Sequence, residues 1–85
     1  MQARNIQKSA TYETSDTPLV TWLMINGIRK IGTNSKVKPA IFILDNADFN
    51  RINDLIFAWD SGNAIANCAV FYKTYRLNIH SIKEA

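Results

Sequence analysis

Between Gly27 and Asp45 the chain reads GIRKIGTNSKVKPAIFILD, and this stretch constrains the fold more than any other. Ile28 to Ile31 mixes apolar and basic residues, Ala40 to Leu44 is a run of five apolar residues, and Gly32-Thr33-Asn34-Ser35-Lys36 between them has the composition of a turn. The pattern predicts one β-hairpin with a basic, polar tip. An uninterrupted apolar run implies cover on both faces of the returning strand. Pro39 has no N–H to give to a ladder, so it belongs at the strand entry or on an edge.

The flanking segments read as helices. Thr14-Ser15-Asp16-Thr17-Pro18 is a helix start: Ser15, Asp16 or Thr17 can accept from the first unpaired N–H groups, and Pro18 sits where no N–H is required. That helix is expected to run to about Asn26 and to end on Gly27, with Leu19, Leu23, Val20 and Met24 on its core face and Trp22 and Ile25 partly off it. After the hairpin, Asp45 and Asn46 are cap candidates for a second helix, with Asp48 in its first turn against the positive end of the dipole. Phe49, Ile52, Ile56 and Trp59 form its apolar stripe, Leu55 widens the stripe, and Phe57 points away. The helix ends at Ser61-Gly62, and a third is expected from about Asn63 to Lys83. Ile65, Ala69, Tyr72, Arg76 and Ile79 share one of its ridges, and Phe71, Tyr75 and Ile82 another. Residues 1–11 hold a single branched aliphatic residue, Ile6, and are expected to form a flexible arm, although Ala10 to Glu13 would suit a short third strand beside the hairpin. The expectation is a single α+β domain over residues 12–85, ordered α-β-β-α-α, with the hairpin packed against helices.

A chain of 85 residues buries roughly 60% of its unfolded surface if it folds alone. Here 47% of the residues are apolar, many in the runs LVTWLMI, LIFAW and AVFYKTY, so a homo-oligomer or a larger protein complex is expected to cover some of them. Cys68 is the only cysteine, no Asn-X-Ser/Thr acceptor occurs, and the first ten residues lack the apolar core of a secretory signal, which fits a cytoplasmic setting. Asn26, Asp45, Asp48 and Asp60 interrupt every apolar stretch that might approach the ~20 residues needed to cross a bilayer, so no membrane partner is expected.

The net charge of +3 is modest, but its distribution is uneven. Arg29, Lys30, Lys36 and Lys38 lie in a stretch with no acid, whereas 45–60 holds Asp45, Asp48, Asp54 and Asp60 against Arg51 alone. No pattern of catalysis or cofactor binding accompanies this. Cys68 and His80, the only thiol and imidazole, would stand about 18 Å apart along one helix, far beyond the reach a nucleophile and its base require. One Cys and one His cannot complete a tetrahedral metal site, and Asp45 and Asp48, which could in principle ligate Mg²⁺, are accounted for by the helix start. The three glycines are isolated, so neither a P-loop nor a dinucleotide fingerprint is present. No enzyme, cofactor, metal or small-molecule substrate is expected.

Thr14-Ser15-Asp16 before an apolar helix, Gly27 opening a hairpin, a strand ending Phe42 to Asp45, a helix closing in Trp59 to Gly62 and a long helix from Phe71 to Lys83 together resemble an uncharacterised bacterial and phage family of unknown function. The resemblance covers about residues 12–83. It implies the topology above and a bacterial or viral setting, the host cytoplasm in the second case, and it implies no activity. The last helix departs from the family pattern, being more apolar and poorer in Arg and Glu.

Two binding functions follow as expectations. In the first, Arg29, Lys30, Lys36 and Lys38 contact the phosphates of DNA or RNA without sequence preference, Asn34 and Ser35 donate at the hairpin tip, and Lys73 and Arg76 extend the patch. In the second, Trp22, Phe57, Phe71 and Tyr75 form a protein interface of a homo-oligomer, virion or complex component. Trp22, Phe57, Phe71, Tyr72 and Tyr75 also suggest a stacking platform for single-stranded bases, although aromatics at helical spacing more often belong to a core.

Overall fold

The structure is a computed structural model that describes residues 10–84. Its order is β1 (Thr11–Thr14), α1 (Thr17–Ile25), β2 (Lys30–Asn34), β3 (Ile41–Asp45), α2 (Phe49–Asp60) and α3 (Cys68–Glu84). The α+β expectation holds, and the short strand before α1 is part of the fold. β3 is central in a three-stranded antiparallel sheet of order β1-β3-β2. The arm expected over residues 1–11 falls, for residues 1–9, outside the described residues. Thr11 already belongs to β1, and the Ala10 carbonyl accepts the Asn46 N–H at 3.1 Å.

β3 alternates rather than being covered on both sides. Phe42 and Leu44 are fully buried, while Ile41 and Ile43 on the opposite face stay half-buried. The helices therefore cover one face, and the run of apolar residues reflects an aliphatic outer face, not a second layer. The register places Tyr12 and Thr14 of β1, and Lys30 and Thr33 of β2, on the same side as Phe42 and Leu44. A bulge between Lys30 and Gly32 adds Ile31, whose side chain is half exposed. β2 runs through Gly32 to Asn34, so the turn lies later than its composition predicts, in the residues between Asn34 and Ile41.

Asp16 caps α1, its carboxylate accepting the Leu19 N–H at 3.1 Å, with Thr17 and Pro18 in the first turn. Gly27, at φ +95°, lets the chain leave α1, and the Ile28 N–H returns to the Leu23 carbonyl. α2 begins later than Asp45 and Asn46 suggest: Asp48 is its cap and accepts the Arg51 N–H at 3.2 Å. Asp45 instead accepts the Ala47 N–H, and the Asn46 side chain is buried. Gly62, at φ +79°, closes α2.

α3 starts at Cys68, five residues after the expected Asn63, because Asn67 acts as the cap by accepting the Val70 N–H at 3.1 Å. Ile65 consequently precedes the helix, nearly fully exposed, and joins no helical ridge. The core unites Leu19, Val20, Trp22 and Leu23 of α1 with Ile28, Phe42, Leu44 and with Ile52 and Ile56 of α2. α3 gives this cluster no fully buried apolar side chain among the described residues; its one wholly buried side chain is Asn78.

Candidate functional site

The expected basic hairpin does not form one surface. Arg29 immediately precedes β2, and its guanidinium meets the Asp45 carboxylate at 3.5 Å. Lys36 and Lys38 occupy the turn at the other end, about 20 Å away along the strand. Lys30 points to the opposite face, beneath α3. Its ammonium donates to Asn78 Oδ1 at 2.9 Å and Ser81 Oγ at 3.3 Å, and it lies 5.6 Å from the centroid of the Phe42 ring. Burial lowers the Lys30 pKa below its usual 10.5. Strand alternation accounts for the split of Arg29 from Lys30, which pairs with Leu44 on the inner face, and Lys36 and Lys38 lie beyond the end of β2.

Lys30 is one end of a polar chain through the helix layer. Asn78 Nδ2 donates to Thr21 Oγ1 at 3.0 Å, and that hydroxyl donates to the Thr17 carbonyl at 2.9 Å. Ser81 Oγ donates to the Asn78 carbonyl at 2.8 Å, which leaves it able to accept from Lys30 and from Thr33 Oγ1 at 3.4 Å. Each donor group in the chain has at least one acceptor. The chain therefore fixes α3 against α1 and β2. The proximity of Lys30 to Ser81 is not that of a base poised on a nucleophile, since the ammonium already has its acceptor in Asn78 and the serine proton is turned to the helix backbone.

Three of the four expected interface aromatics are also turned inward. Trp22 is 7% exposed and its Nε1–H donates to the Leu55 carbonyl at 2.9 Å. Trp59 stands 6.2 Å from Trp22, Phe71 6.3 Å from Trp59, and Tyr75 6.4 Å from Phe71, a ladder of rings that joins α1, α2 and α3. Phe71 and Tyr75 are half-buried in it. Trp22 is enclosed because α1 is buried over five successive residues, Leu19 to Leu23, so no side of it is left over for an interface. Phe57 remains outward and is 54% exposed.

The surface that remains is the outward side of α3. Val70, Tyr72 and Leu77 are 51%, 61% and 59% exposed there, among Lys73, Arg76 and His80. Arg76 lies 5.7 Å from the centroid of the Tyr72 ring, which holds its guanidinium across the face. Two shallow depressions run along this side: one of about 340 Å³ between Tyr72, Lys73, Arg76, Leu77 and His80, and one of about 270 Å³ that continues past Ile79 and Lys83. The sequence marks this side through the ridge Ala69, Tyr72, Arg76, Ile79, but the periodicity does not say whether that ridge faces in or out; the burial of Asn78 does.

Cys68 is exposed at the first position of α3, at the opposite end of the helix from His80. Among the described residues no three His, Cys, Asp or Glu side chains gather closely enough to hold a metal ion, and no helix is long and apolar enough to cross a membrane. Compared with known proteins, the chain matches no family model, no curated protein and no solved structure.

Proposed function

We propose that this chain is a non-enzymatic binding module whose working surface is the outward side of α3 and whose partner is a protein. One observation supports it above the others: three large apolar side chains, Val70, Tyr72 and Leu77, stand more than half exposed on one helix. Scattered apolar residues are ordinary on a surface, but here Tyr72 and Leu77 line adjoining depressions with Lys73 and Arg76 between them, the mixture found where a protein partner is anchored. Phosphate contact through the hairpin has less support. Of its four cations Lys30 is engaged beneath α3 and Arg29 is paired with Asp45, leaving Lys36 and Lys38 in the turn.

A library of random helical peptides displayed on phage and selected on the wild-type chain tests the surface without assuming a ligand. Selected peptides are expected to lose at least about tenfold in affinity, about 1.4 kcal/mol, for the chain carrying Leu77→Asp and Tyr72→Asp. Both positions are exposed, so the fold is retained, which circular dichroism checks. Peptides that bind the double variant as tightly as the wild type would remove α3 from consideration.

A further inference from the structure

The distribution of charge and apolar surface on α3 narrows the chemistry of the partner. At 3.6 residues per turn, Ala69, Lys73, Arg76 and His80 follow the crest opposite Asn78, while Val70 and Leu77 flank it on one side and Tyr72 and Ile79 on the other. The crest is cationic and both margins are apolar. From Ser61 to Lys83 the sequence has no Asp or Glu, and among the described residues no carboxylate pairs with Lys73 or Arg76.

We infer that the occupant of this surface is an acidic amphipathic helix of another protein, with carboxylates along its central ridge and aliphatic side chains on the ridges to either side. This rests on the assignment of α3 as the working surface. Carboxylates laid on the crest meet Lys73 and Arg76, and the aliphatic side chains fill the depressions beside Leu77 and Ile79. A second copy docked by the same face is a poorer occupant, because a two-fold arrangement sets Lys73 and Arg76 of each copy against their own equivalents. A nucleic acid duplex is poorer for a different reason. A helix lying in a groove has phosphates along its margins, and here three of the four margin residues, Val70, Leu77 and Ile79, offer phosphate no donor, leaving the Tyr72 hydroxyl alone to do so.

The probe is a fluorescein-labelled amphipathic helical peptide matching the ~25 Å length of α3, with glutamates on the central ridge and leucines on its neighbours. Its control replaces every glutamate by glutamine. Fluorescence anisotropy with the full chain is expected to show the glutamate peptide binding about tenfold more tightly than the control, and that ratio is expected to fall towards one for the Lys73→Gln, Arg76→Gln variant. Equal binding of both peptides, abolished by Leu77→Asp, would keep α3 as the docking surface and overturn the acidic partner. Binding of neither would overturn the acidic helix, while the displayed-library selection still judges the surface itself. Duplex DNA that binds the wild-type chain and is lost with Lys73→Gln, Arg76→Gln would replace the protein partner by a nucleic acid.

Discussion

Trp22→Ala is expected to destabilise the domain by about 4 kcal/mol, because it deletes a buried indole from the junction of α1 and α2 and leaves a cavity beside Trp59. A chain of 85 residues has a total stability of about 4 to 13 kcal/mol, so this single change brings the variant close to unfolding at 25 °C. Trp22→Phe separates packing from hydrogen bonding. It keeps most of the ring volume but removes the Nε1–H bond to the Leu55 carbonyl at 2.9 Å, and should cost about 1 kcal/mol. Urea unfolding followed by far-UV circular dichroism measures both. Unchanged stability for Trp22→Ala together with a smaller particle mass would mean that the indole belongs to an interface between chains and not to the core.

The second large effect concerns Asn78, among the described residues the only side chain of α3 that is wholly buried. Asn78→Leu removes the acceptor of the Lys30 ammonium, and the loss is expected to be about 3 kcal/mol, or a fall in Tm of about 15 °C. Lys30→Met alone leaves Asn78 Oδ1 without its donor and costs about 2 kcal/mol. The double variant puts two apolar side chains against each other, while Thr21 keeps its bond to the Thr17 carbonyl, so its cost should fall short of the sum by about 2 kcal/mol. Additivity within about 0.5 kcal/mol would show that the two groups do not act as a pair.

The same lysine sets a pH dependence. Its folded pKa is lowered by burial, so just below 10.5 the unfolded chain binds more protons than the folded one. Stability contributed by this group is therefore complete above 10.5 and is lost as pH falls through the lowered folded value. Relative to wild type, Lys30→Met should show a flatter rise in stability as pH approaches 10.5.

These two sites mark where local sequence patterns stop carrying information. Asp16, Pro18, Gly27, Pro39 and Gly62 announce their turns and helix ends through their own backbone chemistry, and the architecture could be assembled from them. Burial of Trp22 depends on α1 being enclosed by β3, α2 and α3 together, and helical periodicity assigns a helix one buried face when this one has several. Lys30 and Asn78 are 48 residues apart in sequence and both look like surface residues in isolation. Only the fold shows that each is the reason the other can be buried. The candidate site shares this origin: once Asn78 faces inward, Lys73, Arg76 and His80 must face out, and Tyr72 and Ile79 of the first apolar ridge flank them. Asn67, by contrast, is of a residue type that caps helices, and its side chain sets the start of α3 at Cys68.

Chemical-shift mapping tests the central claim most directly. The ¹⁵N-labelled chain is titrated with the glutamate-ridged peptide and, separately, with a short DNA duplex, and the backbone amides are followed in each. The α3 assignment predicts that the peptide shifts Val70, Tyr72, Lys73, Arg76, Leu77 and His80 while Arg29, Lys36 and Lys38 stay in place, and that the duplex shifts neither group. Saturable shifts at Arg29, Lys36 and Lys38 on adding the duplex, with α3 undisturbed by either ligand, would contradict it and return the function to the hairpin.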